Sequence, residues 1–196
     1  PAAVCAPGSV NLTAAAVTAG STTGGTFSYW INAAGTTTLA SPGAVTTSGT
    51  YYIRNTVGSC SDIKPVVVTI NPAPIVAVPA NFSVCPGDAL PAPTLTSTPT
   101  GATYTWTNSN PAIGLGAGSS GSVPAFTATN ATASPITGII TVTPTLGSCP
   151  GTASSYTITV NPTPTIGVNN VTICPGQTAV LTATGGTGYV WDDLST

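Results

Sequence analysis

Hydrophobic and polar residues alternate along many short runs of this chain. In the run "YTITV", residues 156–160, Tyr156, Ile158 and Val160 share one face and two threonines share the other. A period of two predicts a strand with one buried face. Similar runs rich in Val, Ile, Thr and Tyr lie between Gly, Pro, Ser and Asn turns roughly 8 to 12 residues apart, and none has a convincing helical period. The pattern predicts an all-β fold made of β-sandwiches.

One succession of motifs recurs along the chain. It consists of a cysteine with Pro-Gly one or two residues on, a strand pattern, a tryptophan, a Gly-Ser-Cys, a terminal strand and Asn-Pro-x-Pro. The leading cysteines are Cys5, Cys85 and Cys174; the tryptophans are Trp30, Trp106 and Trp191; the Gly-Ser-Cys cysteines are Cys60 and Cys149. The recurrence predicts tandem Ig-like β-sandwich domains placed end to end.

Three units follow from this spacing. Unit one covers residues 1–71, unit two covers residues 72–161, and unit three covers residues 162–196. Unit one has few residues before Cys5, and unit three stops just after Trp191. We therefore expect the chain to be a window from a longer tandem array, with a possibly truncated first strand in unit one and an incomplete third domain.

The five cysteines are predicted to form disulfides. The chain contains no histidine and no Cys-x-x-Cys pair, which excludes the usual zinc sites and favours an oxidising, extracellular compartment. Free buried thiols are the alternative. The first cysteine of a unit ends its first strand and the second precedes its last strand, so we expect bridges within units. The predicted pairs are Cys5–Cys60 and Cys85–Cys149, with the partner of Cys174 outside this segment.

The tryptophans and the prolines between units have predicted structural roles. Trp30, Trp106 and Trp191 are interpreted as core residues; a sugar-stacking platform, the alternative, requires an exposed ring. Proline fixes its own φ and restricts the residue before it, so Asn-Pro-x-Pro leaves no room for a flexible tether. The predicted linker residues are Pro72, Pro74, Pro162 and Pro164.

The charged residues exclude several functions. They make up 3% of the chain, with two basic and four acidic side chains. Too few basic residues are present to neutralise a row of phosphates, which excludes nucleic acid as a partner.

No apolar run approaches the roughly 20 residues of a transmembrane segment. Without histidine a Ser-His or Cys-His site is impossible, so we predict neither an enzyme nor a cofactor. Adjacent Asp192 and Asp193 leave a calcium site as a minor alternative to a solvated turn.

The sequence resembles a known family of modules over essentially its whole length, and unit three opens as those modules do. The stretch "TFSYWINAAGTTTLASPGAVTTSGTYYIRNTVGSCSDIKPVVVTINP" resembles the Ig-like modules of very large secreted surface proteins of Bacteroidota. The matching positions are Trp30, Ala34-Gly35, Leu39-Ala40, Thr50-Tyr51-Tyr52, Ser59-Cys60 and Val68 to Pro72. Ile31 departs from the pattern, since a tyrosine often follows the tryptophan in that family. Unit two is similar to the longer PKD-like modules of the same proteins.

The resemblance implies a role at the cell surface. Such modules are stacked in adhesins and filaments, some of them exported by type IX secretion and linked to gliding motility. We therefore predict a structural repeat segment that acts as a disulfide-stapled, semi-rigid stalk. The alternative is a carbohydrate- or protein-binding adhesion module. The expected partners are neighbouring modules of the same protein or fibre, with surface glycans or proteins as further candidates.

Overall fold

The computed structural model describes residues 1–192, and Asp193 with the rest of unit three's end lies outside the described residues. In the described part, strands account for the regular structure, apart from a single 3-10 turn, Pro111–Ile113. The all-β prediction is confirmed. Within residues 1–192 no helix has the length and apolar character needed to cross a membrane.

Unit one is built on an antiparallel three-stranded sheet. Its strands are β1 Val4–Cys5, β2 Thr26–Trp30, β3 Gly49–Val57, β4 Cys60–Val68 and β5 Ile70–Asn71. The sheet has the order β2-β3-β4, while β1 pairs with β5 in parallel. Tyr51 and Val68 of the sheet pack against Val10, Leu12 and Val45, which lie on irregular chain held together by a Val10–Val45 bridge. Two layers therefore enclose the core of unit one.

Unit two has a larger sheet. Its strands are β6 Ile75–Ala77, β7 Phe82–Val84, β8 Ala89–Leu90, β9 Thr96–Thr98, β10 Thr103–Asn108, β11 Gly118–Ser120, β12 Phe126–Thr127, β13 Ile136–Leu146, β14 Cys149–Pro150 and β15 Ser154–Val160. The main sheet has the order β11-β10-β13-β15-β7, with β14 also on β13, and the pairs β6-β9 and β8-β12 form the opposing layer. This arrangement is an Ig-like β-sandwich.

The core of unit two follows from strict alternation along its strands. On β13, Ile140 and Val142 are fully buried, whereas Ile139, which directly precedes Ile140, is 47% exposed. Ile158 and Val160 of β15 project to the same interior. Successive side chains of a strand point to opposite faces, so each strand supplies every second residue to the core.

The three tryptophans differ in their surroundings. Trp106 is 5% exposed and lies in the core of unit two. Trp30 is paired with Tyr52 on β3, and it shares the outer face of its sheet with Arg54, whose guanidinium carbon lies 4.9 Å from the ring centroid. In unit one it is the neighbouring Tyr29 that packs against the core. The prediction that Trp30 is a core residue is therefore wrong, because the strand presents its opposite face.

The described part of unit three contains one short pair of strands, β16 Gly167–Val168 and β17 Ala183–Thr184. Trp191 is 55% exposed, so its predicted core position is not realised. A single two-stranded pair offers no opposing layer that could bury the ring. The predicted boundaries of all three domains remain predictions.

Candidate functional site: the junction of units one and two

The two Gly-Ser-Cys motifs occupy the same kind of turn. Val57 pairs with Cys60, and Leu146 pairs with Cys149, so a two-residue Gly-Ser turn closes each hairpin. The glycines of these turns, Gly58 and Gly147, have φ values of 59° and 60°. Two-residue hairpin turns require such a left-handed residue at their first position. We call this element the Gly-Ser-Cys hairpin. Its cysteine is the first residue of the strand that follows the turn, β4 in unit one and β14 in unit two, and it lies at one end of the unit.

The leading cysteines of units one and two lie at the other end of their units. Cys5 pairs with Asn71 in the parallel contact of β1 with β5. In unit two, β7 runs parallel to β15 and pairs Val84 with Val160, so Cys85 follows at the level of Asn161. The N–H of Asn161 donates to the carbonyl oxygen of Val84 over 3.0 Å. Parallel pairing thus puts Cys5 and Cys85 each beside the asparagine that begins the Asn-Pro linker.

A disulfide crosses the junction of units one and two. Cys5 is bonded to Cys149, with 5.4 Å between their Cα atoms and a sequence separation of 144. Cys149 is fully buried, whereas Cys60 at the equivalent hairpin position is exposed. Cys85 is also exposed and free. The predicted pairs Cys5–Cys60 and Cys85–Cys149 are therefore wrong.

The reason is the direction of the strands. The eight steps of β4 from Cys60 to Val68 span about 26 Å at ~3.3 Å per residue. Cys5 lies beyond that far end, and a disulfide cannot bridge Cα atoms more than about 7 Å apart. Cys85 and Cys149 are separated by β15 in the same way. The two cysteines of one unit therefore lie at its opposite ends. The third free thiol, Cys174, is exposed, and the prediction that its partner lies outside this segment stays a prediction.

The linker is packed into this junction. Three residues separate β5 from β6, and the second of the two prolines, Pro74, is fully buried while Pro72 is exposed. A side chain on Gly151 would overlap the carbonyl oxygen of Pro74. Ile75 forms a parallel bridge with Thr152. The first linker is thus fixed to the Gly-Ser-Cys hairpin of unit two.

The second predicted linker lacks such contacts. Pro162 is half-buried and Pro164 is exposed. Strand β16 begins at Gly167, several residues after β15 ends at Val160. The roles of all four prolines as stiffening residues remain a prediction, which the packing at Pro74 supports for the first linker.

The charged side chains of the described residues are scattered. Lys64 donates a hydrogen bond to Asp62 over 2.9 Å, and this bond lowers the pKa of the Asp62 carboxyl below its ordinary value. Both side chains are largely exposed. Arg54 donates to the carbonyl oxygen of Ala34 over 3.2 Å as well as covering Trp30. Within residues 1–192 no three His, Cys, Asp or Glu side chains are grouped as a metal site would need.

Sequence reasoning identified the cysteines of the junction but not their pairing. The signal was present in the lengths of the strands. An unbroken strand pattern runs from Cys60 to Val68, which places its ends too far apart for one bridge. The contribution of Gly151 had no sequence signal of its own, because it depends on where Pro74 is placed.

Comparisons with known proteins give only distant similarities. No family model and no curated protein matches the chain. Among solved structures it is similar to the titin domains Z1Z2 in complex with telethonin (14% identity, TM-score 0.29, 71% of this chain and 82% of that one). It is also similar to mouse cadherin-23 EC22-24 (11%, TM-score 0.37, 71% and 54%) and to domains 1–6 of the surface layer protein SbsC (15%, TM-score 0.32, 73% and 21%). Similarity at this level carries no argument about function.

Proposed function

We propose that this chain is a structural segment of an extracellular, cell-surface adhesin or filament, in which consecutive sandwiches form a semi-rigid stalk. The observation that carries the proposal is the Cys5–Cys149 disulfide, because it joins two units rather than the two ends of one. A stalk needs resistance to bending at its junctions, and a covalent bond beside a packed linker provides it.

The linker supports the same proposal. Its three residues connect β5 directly to β6, and Pro74 is fully enclosed. A linker of this kind cannot act as a random coil, since its prolines fix φ and its carbonyl oxygen contacts Gly151. Two independent constraints, one covalent and one packed, act at a single junction.

The chemistry of the surface supports a structural role over a catalytic one. Disulfides persist in oxidising compartments, which supports a location outside the cytoplasm. Charged side chains make up 3% of the residues, so little electrostatic repulsion would oppose side-by-side association of stalks. The proposal includes no catalytic residue and no cofactor.

Peptide mapping and X-ray scattering test the proposal. Non-reducing digestion of the full chain should release a peptide pair joined by Cys5 and Cys149. The Cys5→Ser variant should show a wider distribution of overall dimensions in solution scattering, because one of the two constraints at the junction is lost. Cys174→Ser is the matched control and should leave the scattering unchanged. Bridges within units, or scattering that does not respond to Cys5→Ser, would contradict the stalk.

The alternative, a carbohydrate-binding module, would need an accessible aromatic face. Arg54 covers one face of Trp30, an aromatic ring on the outer side of unit one. A stalk should show no saturable binding on a glycan array. Saturable binding that is lost in Trp30→Ala would favour the adhesion module instead.

A further inference from the structure

Unit two contains an apolar cavity of about 190 Å³ between its two layers. On the side of the main sheet, the wall includes Phe82 of β7 and Ile158 of β15, which are paired neighbours. On the side of the opposing layer, the wall includes Leu90 of β8 and Phe126 of β12, which are also paired. Every wall residue lies between positions 79 and 158. The cavity is therefore enclosed by unit two alone.

Prolines explain why the two layers separate at this place. Strand β8 ends at Leu90, Pro91 follows it directly, and Pro93 stands two residues later. A proline has no N–H for a ladder hydrogen bond, so this layer cannot continue as a strand. On the other side, β7 is three residues long and forms the edge of the main sheet. Phe82 faces inward with Ile158 yet is 37% exposed, which places the mouth of the cavity at this edge.

The base of the cavity contains a tyrosine whose hydroxyl is unsatisfied. Tyr156 belongs to the wall and is 3% exposed, and its hydroxyl makes no hydrogen bond with any described residue. The core tyrosine of unit one differs, since the hydroxyl of Tyr51 donates to the carbonyl oxygen of Thr47 over 3.0 Å. A buried hydroxyl without a partner is costly, and buried tyrosines usually find one. Tyr156 is therefore a polar group that a bound molecule could satisfy.

The size of the cavity limits a ligand to one ring. An apolar cavity of about 150 Å³ binds benzene, so about 190 Å³ accommodates a six-membered ring with one small substituent. Pockets for larger ligands begin at about 300 Å³. A disaccharide or an extended peptide segment is therefore too large for this space.

The wall chemistry favours an uncharged aromatic ring. Phe82, Phe126 and Tyr156 contribute aromatic rings, which pack favourably against another ring in offset or edge-to-face geometry. None of the described wall residues carries a charge, so a charged ligand would lose its hydration without gaining a counter-ion. Among the same residues, only Tyr156 has a polar side-chain atom. Burial raises the pKa of its hydroxyl, which stays protonated at neutral pH and can donate one hydrogen bond.

We propose that this cavity is a binding site for a small, uncharged compound that has one aromatic ring and one hydrogen-bond acceptor. The ring lies between the Phe82–Ile158 pair and the Leu90–Phe126 pair, and the Tyr156 hydroxyl donates to the acceptor. The site goes beyond the proposed stalk, because it lies inside unit two and uses no residue of the junction. Each of the two proposals can therefore fail without the other.

NMR titration of the full chain tests the site, with benzyl alcohol and toluene as probes. Both carry the ring, and only benzyl alcohol carries an oxygen. We expect saturable shifts of the backbone amides of Phe82, Leu90 and Tyr156 with each probe. A titration without saturable shifts at these residues would overturn the proposal.

Tyr156→Phe tests the hydrogen bond. The variant should bind benzyl alcohol roughly two- to tenfold more weakly than the parent chain, the usual effect of losing one hydrogen bond. Its affinity for toluene should stay unchanged, because the ring still fits. If benzyl alcohol binds equally well to both chains, or if both probes weaken together, the hydroxyl does not hold the ligand and the proposal fails.

A second pair of variants tests the position of the ring. Leu90→Trp places a larger side chain in the cavity and should abolish saturable binding of both probes. Ile139→Trp is the matched control: Ile139 lies on the outer face of β13, so binding should persist. Urea unfolding of both variants shows whether unit two remains folded. Equal binding by the two tryptophan variants would contradict the assigned site.

Phe82→Ala decides the matter if Leu90→Trp does not fold. Phe82 lies on an edge strand, and its truncation removes an aromatic wall at the mouth. Both probes should then bind roughly two- to tenfold more weakly, the usual contribution of one aromatic contact. Unchanged affinities would overturn the proposal.

Benzoate is the charged counterpart of benzyl alcohol. Its carboxylate would have to leave water for a wall without a cation, so we expect it to bind at least about tenfold more weakly. Benzoate that binds as tightly as benzyl alcohol would show that the probes bind outside this cavity, which would also overturn the proposal.

Discussion

The carbonyl oxygen of Pro74 occupies the space that a side chain on Gly151 would need. The obstacle is backbone, which cannot rotate away as a long side chain could. We therefore expect Gly151→Ala to destabilise the junction by about 1–3 kcal/mol, the usual cost of forcing one carbon into packed structure. Urea unfolding of the oxidised chain measures this cost, and the rate of Cys5–Cys149 formation from reduced protein should fall in parallel.

Gly116→Ala is the control for that substitution. A Cβ on Gly116 would have no heavy atom within 4 Å, and the backbone there is not left-handed. The change in the free energy of unfolding should stay within about 0.5 kcal/mol. Equal effects of the two substitutions would show that the contact between linker and hairpin does not hold the junction.

The alternation along β13 gives a second prediction. Ile140 is fully buried, and its neighbour Ile139 is 47% exposed on the opposite face. Ile140→Ala should lower the free energy of unfolding of unit two by about 2–5 kcal/mol, since it removes transfer energy and leaves a cavity. Ile139→Ala should cost less than about 1 kcal/mol. Thermal unfolding of the two variants compares them directly, and a reversed order would refute the assigned register of β13.

The fold class could be predicted from the sequence because alternation of apolar and polar residues with a period of two indicates a strand with one buried face. The run 156–160 shows it: Tyr156, Ile158 and Val160 are buried, and the threonines between them are half-buried on the other face. Which face of a strand meets the core is harder to predict. Trp30 and Trp106 stand at equivalent places in the motif, yet one side chain lies on the outer face and the other in the core. A shift of one residue exchanges the two faces, and both faces of β2 carry aromatic side chains.

The cysteine pairing could not be predicted from the order of motifs alone. Cysteines at the start and end of a unit are the obvious partners when the unit is considered by itself. Parallel pairing of β1 with β5 reverses that conclusion, because it carries Cys5 to the end of the unit opposite Cys60. Only a neighbouring unit then brings a second cysteine, Cys149, within bonding distance.

The pair of Arg54 and Trp30 gives a third prediction. A guanidinium 4.9 Å from an indole centroid on a partly exposed surface contributes about 0.5–1 kcal/mol. Arg54→Ala should lower the stability of unit one by this amount, and the fluorescence maximum of Trp30 should shift to longer wavelength as water reaches the ring. Both measurements are made in a background that carries Trp106→Phe and Trp191→Phe, which removes the signals of the other two tryptophans.

Lys64→Ala serves as the control for Arg54→Ala. Lys64 is the second basic residue of the chain, and its contact with Asp62 is exposed to solvent. Exposed ion pairs contribute little, so neither stability nor fluorescence should change measurably. If both variants lose the same stability, loss of positive charge rather than stacking on Trp30 explains the effect.

Tyr156 should make unit two sensitive to alkaline pH. Burial raises the pKa of its hydroxyl above the ordinary value of 10.0, because the phenolate would lose its hydration. Well below pH 10.0 the hydroxyl is neutral in both the folded and the unfolded state. As pH rises further, the unfolded tyrosine ionises first, so the unfolded state binds fewer protons and the free energy of unfolding falls.

Tyr156→Phe removes this contribution and should make the free energy of unfolding fall less steeply with pH in the alkaline range. Urea unfolding with the free thiols alkylated, which prevents disulfide exchange, measures both slopes. Equal slopes for the variant and the parent chain would mean that another group causes the loss of stability.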